Sequence, residues 1–341
     1  MRVTTSGNEA RSARQRGRAR GSFAARVAVG LLLLGFIVRQ LGGVASLLDG
    51  LRGLSLIALV AALAANTADR VLMTWKWSLL LRAHGQHLPL VQGTRIYCAS
   101  MVWGMFLPAT MGADAIRAVS SVRAGLPASE VLASIVVERA LGLLASLVVG
   151  LLGLLLVSLL GELPPALAPL GWLGGLLLCG GALALALSFS DRAFAWIHGR
   201  LLREVAERGP VRRLREVHET YRAFRAHPRT LWSFWWLSAL EQLGPFVPIW
   251  ILAVALGAQV PPLYLAGAVT LSFLVARVPV SLGGLGVMEG TLVFLLSLVG
   301  IPGPLAVTIA LAGRIVEVAS WLPWWLAFVL RSGSVRRPRD A

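Results

Sequence analysis

The chain has 341 residues, 57% hydrophobic and only 14% charged, with a net charge of +16 and a mean hydropathy of +0.74. Soluble domains carry about 25% charged residues, and one anchor helix would not shift a whole-chain average this far. Composition therefore excludes a soluble enzyme or binding module and requires several membrane spans. The basic excess, built from arginine and the single lysine Lys76, has no soluble body on which to meet nucleic acid; the enrichment of Lys and Arg on cytoplasmic segments accounts for it.

Residues 1–26 read as a basic cytoplasmic tail. Arg11 to Arg26 followed by the apolar run Val27 to Val38 has the outline of a signal peptide. No small-x-small cleavage site follows, and the segment reads instead as a tail feeding a first span over Phe23–Leu41. A crossing helix needs about 20 apolar residues, and further spans are expected over Leu54–Leu81, Ala128–Leu160, Gly171–Phe189, Leu231–Leu256 and Pro304–Leu330. Trp75, Lys76 and Trp77 near the end of the second resemble an interfacial anchor.

Between the fourth and fifth spans lies a polar insert, 190–229. Its segment Asp191–Arg229 holds ten arginines and five acids. Val211, Leu214, Val217, Tyr221 and Phe224 recur there at helical spacing among Arg212, Arg213, Arg215, Arg222 and Arg225. Such a helix suits an anionic leaflet, and a solvated connector would have the same pattern. With this insert and the basic tails, including 331–341, assigned to the cytoplasm, both termini lie inside and the number of crossings is even.

Two segments do not read as simple spans. Arg95–Leu107 breaks at Pro108 and Gly112; Leu263–Val278 breaks at Pro279, Gly283 and Gly284 before Leu285–Val299 resumes. The flanks are too short for a full crossing. Proline removes a backbone donor and glycine permits a tight reversal. Two re-entrant hairpins are expected, entering from opposite sides. The units 54–160 and 231–330 then form an inverted repeat, the pattern in which interrupted helices of transporters mark the binding site. The expected fold is an all-α polytopic membrane protein, one membrane domain over 27–330, with six full spans plus two re-entrant helical hairpins; eight short spans would satisfy the same parity.

Ionisable residues at membrane depth are costly and point to function. Asp114 and Arg117 follow the first break, and Glu138 and Arg139 lie on the next span. As sequence neighbours, Glu138 and Arg139 point apart, so each needs another partner. Arg277 and Glu289 flank the second break, Arg314 and Glu317 occupy the last span, and Glu241 lies on the one before. Each half thus repeats a Pro-x-x-x-Gly break, an acid, and an Arg with a Glu on the following span. Ion pairs fastening helices would explain any one pair. The repeated set favours a path for an anionic headgroup, because guanidinium forks match phosphate oxygens. Cys98 and Cys179 sit in apolar surroundings and read as packing residues. His198, His218 and His227 have no ligand spacing, and no phosphate-binding glycine loop occurs, so no metal and no cofactor are expected.

Three runs in order, Phe106 to Arg117, Ser134 to Gly142, and Pro279 to Gly290, resemble the flippase-like membrane domain of lysylphosphatidylglycerol synthases. The resemblance covers about residues 25–330. It implies movement of anionic or modified phospholipids, or polyprenyl-linked lipids, between or out of leaflets of the bacterial cytoplasmic (inner) membrane. It marks Pro108, Gly112, Asp114, Arg117, Glu138, Arg139, Pro279, Gly283, Gly284 and Glu289 as motif positions; Arg277, Arg314 and Glu317 rest on their chemistry alone. Eleven residues follow Leu330, so the aminoacyl transfer of the family's bifunctional branch is not carried over. The expectation is a non-enzymatic lipid flippase or transporter, with membrane lipids as partners, no nucleic acid, and a homo-oligomer or envelope partner left open. A membrane-embedded transferase on a lipid-linked substrate, or a non-transporting member of an envelope complex, are the alternatives.

Overall fold

The computed structural model describes residues 32, 35, 51–104, 111–159, 165, 168–190, 209–278, 281 and 284–332. Most of the expected span Phe23–Leu41, the insert residues 191–208, and the break residues Pro108, Pro279 and Gly283 lie outside the described residues. All regular elements among the described residues are helical.

The chain forms α1 (Leu56–Ala83), α2 (Leu90–Gly104), α3 (Met111–Arg123), α4 (Ala128–Leu159) and α5 (Pro169–Ser188), then α6 (Gly209–Ala223), α7 (Pro228–Glu241), α8 (Phe246–Ala255), α9 (Pro262–Val275), α10 (Val287–Leu298) and α11 (Gly303–Ser332). Ser55 caps α1 by accepting from the Ala58 amide at 3.2 Å. Five helical stretches among the described residues are long and apolar enough to cross a membrane: Leu56–Ala83, Ala128–Leu159, Pro169–Ser188, Pro228–Ala255 and Gly303–Leu330. The fourth coincides with the expected span over Leu231–Leu256 and adds a break within it. Instead of one continuous helix over Leu231–Leu256, α7 and α8 meet at a turn through Gln242–Pro245. Pro245 and Pro248 each lack the donor that would carry the helix across.

The two broken segments become pairs of short helices. α2, α3, α9 and α10 have 15, 13, 14 and 12 residues. At about 1.5 Å per residue, each is shorter than the ~30 Å hydrocarbon core. Within each pair the helices pack on one another, and the pairing between halves is reciprocal. α2 packs on α11, while α9 packs on α4; α1 packs on α11, while α7 packs on α4. The first helix of each short pair therefore leans on the long helix that closes the other half.

Glycine makes the α4–α9 contact possible. A β-carbon on Gly153 would stand 3.0 Å from the Gly267 Cα, and one on Gly267 would stand 2.9 Å from the Gly153 carbonyl. Close backbone approach of this kind is how helices gain van der Waals contact where lipid removes the hydrophobic drive. Apolar cores form in both halves, one around Trp77, Tyr97, Val131 and Ile135, the other around Tyr264, Leu265, Leu292 and Ile309.

Two surface readings change. Helix α5 packs on α4 and buries none of its residues; Cys179 on it is exposed, whereas Cys98 on α2 is buried. The described part of the apolar side of α6 packs inward. Val217 and Tyr221 of α6, with Phe224 just beyond it, pack against Leu80, Ala133 and Val137 of α1 and α4. The side chains of Val211, Arg212, Arg213, Leu214 and Arg215 lie outside the described residues.

Candidate functional site

The first site is assembled by the α3–α4 contact. Asp114 lies in the first turn of α3, where the unpaired amides of a helix start favour a carboxylate. Arg117, one turn on, reaches Asp114 at 3.2 Å and Glu138 of α4 at 2.8 Å. Its guanidinium lies 4.9 Å from the Trp77 ring centroid and 4.7 Å from that of Tyr97, a cation–π position on both. Trp77 donates to Ser134 at 3.0 Å, and the Tyr97 hydroxyl donates to Glu138 at 3.0 Å. With 2% of its side chain exposed, Arg117 has no surface to offer a headgroup.

Arg139 behaves differently. It donates to Asp114 from Nε at 2.7 Å and from Nη2 at 2.6 Å, a bidentate fork, yet 45% of its side chain is accessible. Glu138 and Arg139 thus find separate partners, as sequence neighbours on a helix must. Gly112 is helical and buried at the start of α3.

In the second half Glu289 lies in the first turn of α10 and is fully buried. One of its oxygens accepts from the Gly286 amide at 2.7 Å, closing the helix start. The other accepts from Arg314 Nε of α11 at 2.6 Å, and Arg314 Nη1 donates to Glu317 at 2.9 Å. Gly284 and Gly286 have φ of 72° and 78°, the left-handed region that glycine enters without strain. Asp114 to Arg139 and Glu289 to Arg314 are the same pair in the two halves. Each acid lies in the first turn after the break, and each receives Nε of an arginine 25 residues later.

Arg277 and Glu289, which flank the second break, do not pair. Arg277 stands at the end of α9, exposed, with a single long bond of 3.4 Å to Gln242 among the described residues. Glu241 attracts it and Arg139 repels it. Arg139 and Arg277 are each surrounded by protein yet accessible. Two arginines, one from each half, are therefore both accessible, and each acts electrostatically within the same polar region.

Part of the polar interior went unrecognised in the sequence. Asn66, Asp69, Arg70, Thr74 and Lys76 of α1 are all buried. Arg70 pairs with Asp69 at 2.5 Å. Lys76 pairs with Glu241 and donates to Ser238 at 3.0 Å. Trp75-Lys76-Trp77 is thus no interfacial anchor: Trp75 is exposed, but Lys76 and Trp77 are buried. Charged residues inside an apolar span were the available signal. Among the described residues, no three His, Cys, Asp or Glu side chains converge as a metal would require.

A family model described as the lysylphosphatidylglycerol synthase TM region matches residues 23–324. No curated protein matches the chain.

Proposed function

The chain belongs to the lysylphosphatidylglycerol synthase TM-region family, and from that premise we propose that it moves an anionic or modified phospholipid, or a polyprenyl-linked lipid, across the bacterial cytoplasmic membrane. The observation that carries this reading is the pair Arg139 and Arg277. Arg139 keeps 45% of its side chain accessible beside its Asp114 fork, and exposed Arg277 has only the long bond to Gln242 among the described residues, so both guanidiniums keep donors that call for an anion. A phosphate group answers that need. Acyl chains would remain in the bilayer while the headgroup passes between the halves. The paired acids Asp114 and Glu289 hold Arg139 and Arg314 in place from the two hairpins.

In this reading the short pairs α2–α3 and α9–α10 are re-entrant hairpins, the units 54–160 and 231–330 are inverted, and both termini are cytoplasmic. The reciprocal packing of α2 on α11 and α9 on α4 supports it, since a two-fold exchange of the halves maps one contact onto the other. Single cysteines placed in the loops before α2 and before α9 would be labelled from opposite sides of oriented vesicles; labelling from one side would overturn the inversion.

The transport reading is tested in proteoliposomes carrying fluorescently labelled phosphatidylglycerol. Arg139→Gln and Arg277→Gln variants that keep the native melting profile are expected to lose headgroup translocation. Unchanged rates in both would remove the proposed site.

A further inference from the structure

The α1 cluster has an unsatisfied member. Asp69 has 3% of its side chain exposed, and only Oδ2 meets a donor, Arg70 at 2.5 Å. Oδ1 has no hydrogen-bond partner among the described residues. It lies against Gly244 in the turn between α7 and α8, where a β-carbon would collide with it, and the Gly244 amide is already spent on the Glu241 carbonyl at 2.8 Å. A buried carboxylate oxygen without a donor is strongly disfavoured unless the group takes up a positive charge.

Charge balance points the same way. Asp114 and Glu138 face Arg117 and Arg139, two acids to two bases. The ion pairs of α1, α7, α10 and α11 join Asp69, Glu241, Glu289 and Glu317 to Arg70, Lys76 and Arg314, four acids to three bases before Arg277 is counted. The groups acting on Asp69 are Arg70 and Lys76 of its own helix and Glu241 of α7. Through Arg70 the cluster also feels Glu317 of α11 and Tyr97 of α2, and Arg70 acts on Cys98 of α2. Helix α8 has no titratable side chain, and α4 commits Glu138 and Arg139 to the first site. The next cation is Arg277, which Glu241 favours but which is exposed past the end of α9 and bonds Gln242 instead. Asn66, Arg70 and Glu317 line a narrow cleft beside Pro245 and Pro248. This cleft reaches Arg70, the partner of Asp69.

We propose that Asp69 is a proton-binding site of the transport cycle. It takes up one proton through the Arg70–Glu317 cleft when a lipid phosphate draws Arg277 away from Glu241, and releases it when the lipid leaves. The substrate anion would then travel with one proton. This inference rests on the lipid-transport reading for its coupling, but the protonation itself can be measured without lipid movement.

Two experiments separate the parts. In purified protein, infrared difference spectra on acidification are expected to show the carbonyl stretch of a protonated carboxylic acid. That band should vanish in Asp69→Asn and shift in Asp69→Glu, which keeps an acid should the amide variant fail to fold. A band unchanged in both variants overturns the assignment. In proteoliposomes with labelled phosphatidylglycerol, a proton gradient at fixed sodium is expected to drive translocation in the native protein and not in Asp69→Asn. A response to a sodium gradient at fixed pH, or an undiminished proton response in Asp69→Asn, overturns the coupling. Absence of translocation in the native protein would instead count against the transport reading, and with it the coupling, while the infrared result still decides whether Asp69 binds the proton.

Discussion

Arg139 grips Asp114 with two parallel hydrogen bonds, Nε to Oδ2 at 2.7 Å and Nη2 to Oδ1 at 2.6 Å, across 25 residues of chain. Arg314 and Glu289 repeat the relationship at the same interval, with Nε to Oε1 at 2.6 Å. The two pairs differ in their exposure. Arg139 is 45% accessible, whereas Arg314 is largely enclosed, 16% exposed, over a fully buried Glu289. One arginine stays partly accessible and the other mainly fastens α10 to α11.

Arg139→Lys should separate recognition from stability. Lysine keeps the charge but cannot make two coplanar bonds. Because the side chain is partly solvated, the stability change should stay within about 1 kcal/mol. Translocation of labelled phosphatidylglycerol is expected to fall while the thermal melting curve in detergent hardly moves; a large drop in Tm with unchanged transport would contradict this division of roles.

Glu289→Ala should act on stability. It strips a buried guanidinium of one carboxylate and opens the start of α10. Removing one partner of a buried pair costs about 3–5 kcal/mol, offset in part here by Glu317, which still holds Arg314. A markedly lower Tm is expected, with Glu289→Gln falling between, because the amide oxygen can still accept from Gly286.

Gly267→Ala and Gly153→Ala should disrupt the contact between the halves. Each added methyl meets backbone atoms of the facing helix at about 3 Å, and backbone cannot rotate aside as a side chain can. Overpacking costs about 1–3 kcal/mol, to be read as loss of the monodisperse peak in size-exclusion chromatography and a lower Tm. Gly175, with nothing within 4 Å of an added β-carbon, is the control, and its alanine variant should be neutral or slightly stabilised.

Acidification should loosen the junction of α1 with the turn after α6. His84, just past α1, packs edge-to-face on Phe224 at 4.3 Å and lies 6.1 Å from His227. Burial first, and His227 second, hold its imidazole below the ordinary value. With the folded value depressed, the unfolded chain binds the proton more readily. This contribution to stability is therefore complete above the ordinary histidine value of about 6.5 and is lost as pH falls through the lower folded value. Tm should fall on acidification below neutrality, and His84→Gln should flatten that slope; an equal slope in the variant would remove His84 as its source.

Much of the candidate site was legible because its parts are local. Asp114 with Arg117, and Arg314 with Glu317, are one helical turn apart, and both contacts form. The acids of the first turn after each break follow from the same helix-start chemistry. Arg277 is different: it flanks the break beside Glu289 in sequence, but its guanidinium bonds Gln242, and Glu289 takes Arg314 instead. Asp69 and Arg70 were visible as charges inside an apolar run and were passed over, since an interior role depends on which face of α1 meets α7 and α11.

By itself the sequence determined that this is a helical membrane protein, which stretches are long enough to span, where prolines and glycines interrupt them, and the family to which it belongs. Hydropathy, chain length and backbone chemistry act over a few residues to a few tens, so they can be read along one dimension. Only the tertiary structure decided that Arg117 is sealed between Trp77 and Tyr97 while Arg139 stays accessible. It also decided that the span before α9 is broken at Gln242–Pro245, and that Asp69 keeps a carboxylate oxygen without a donor among the described residues. Burial and hydrogen-bond satisfaction are set by side chains that come from distant parts of the chain, and no interval along the sequence encodes which of them meet.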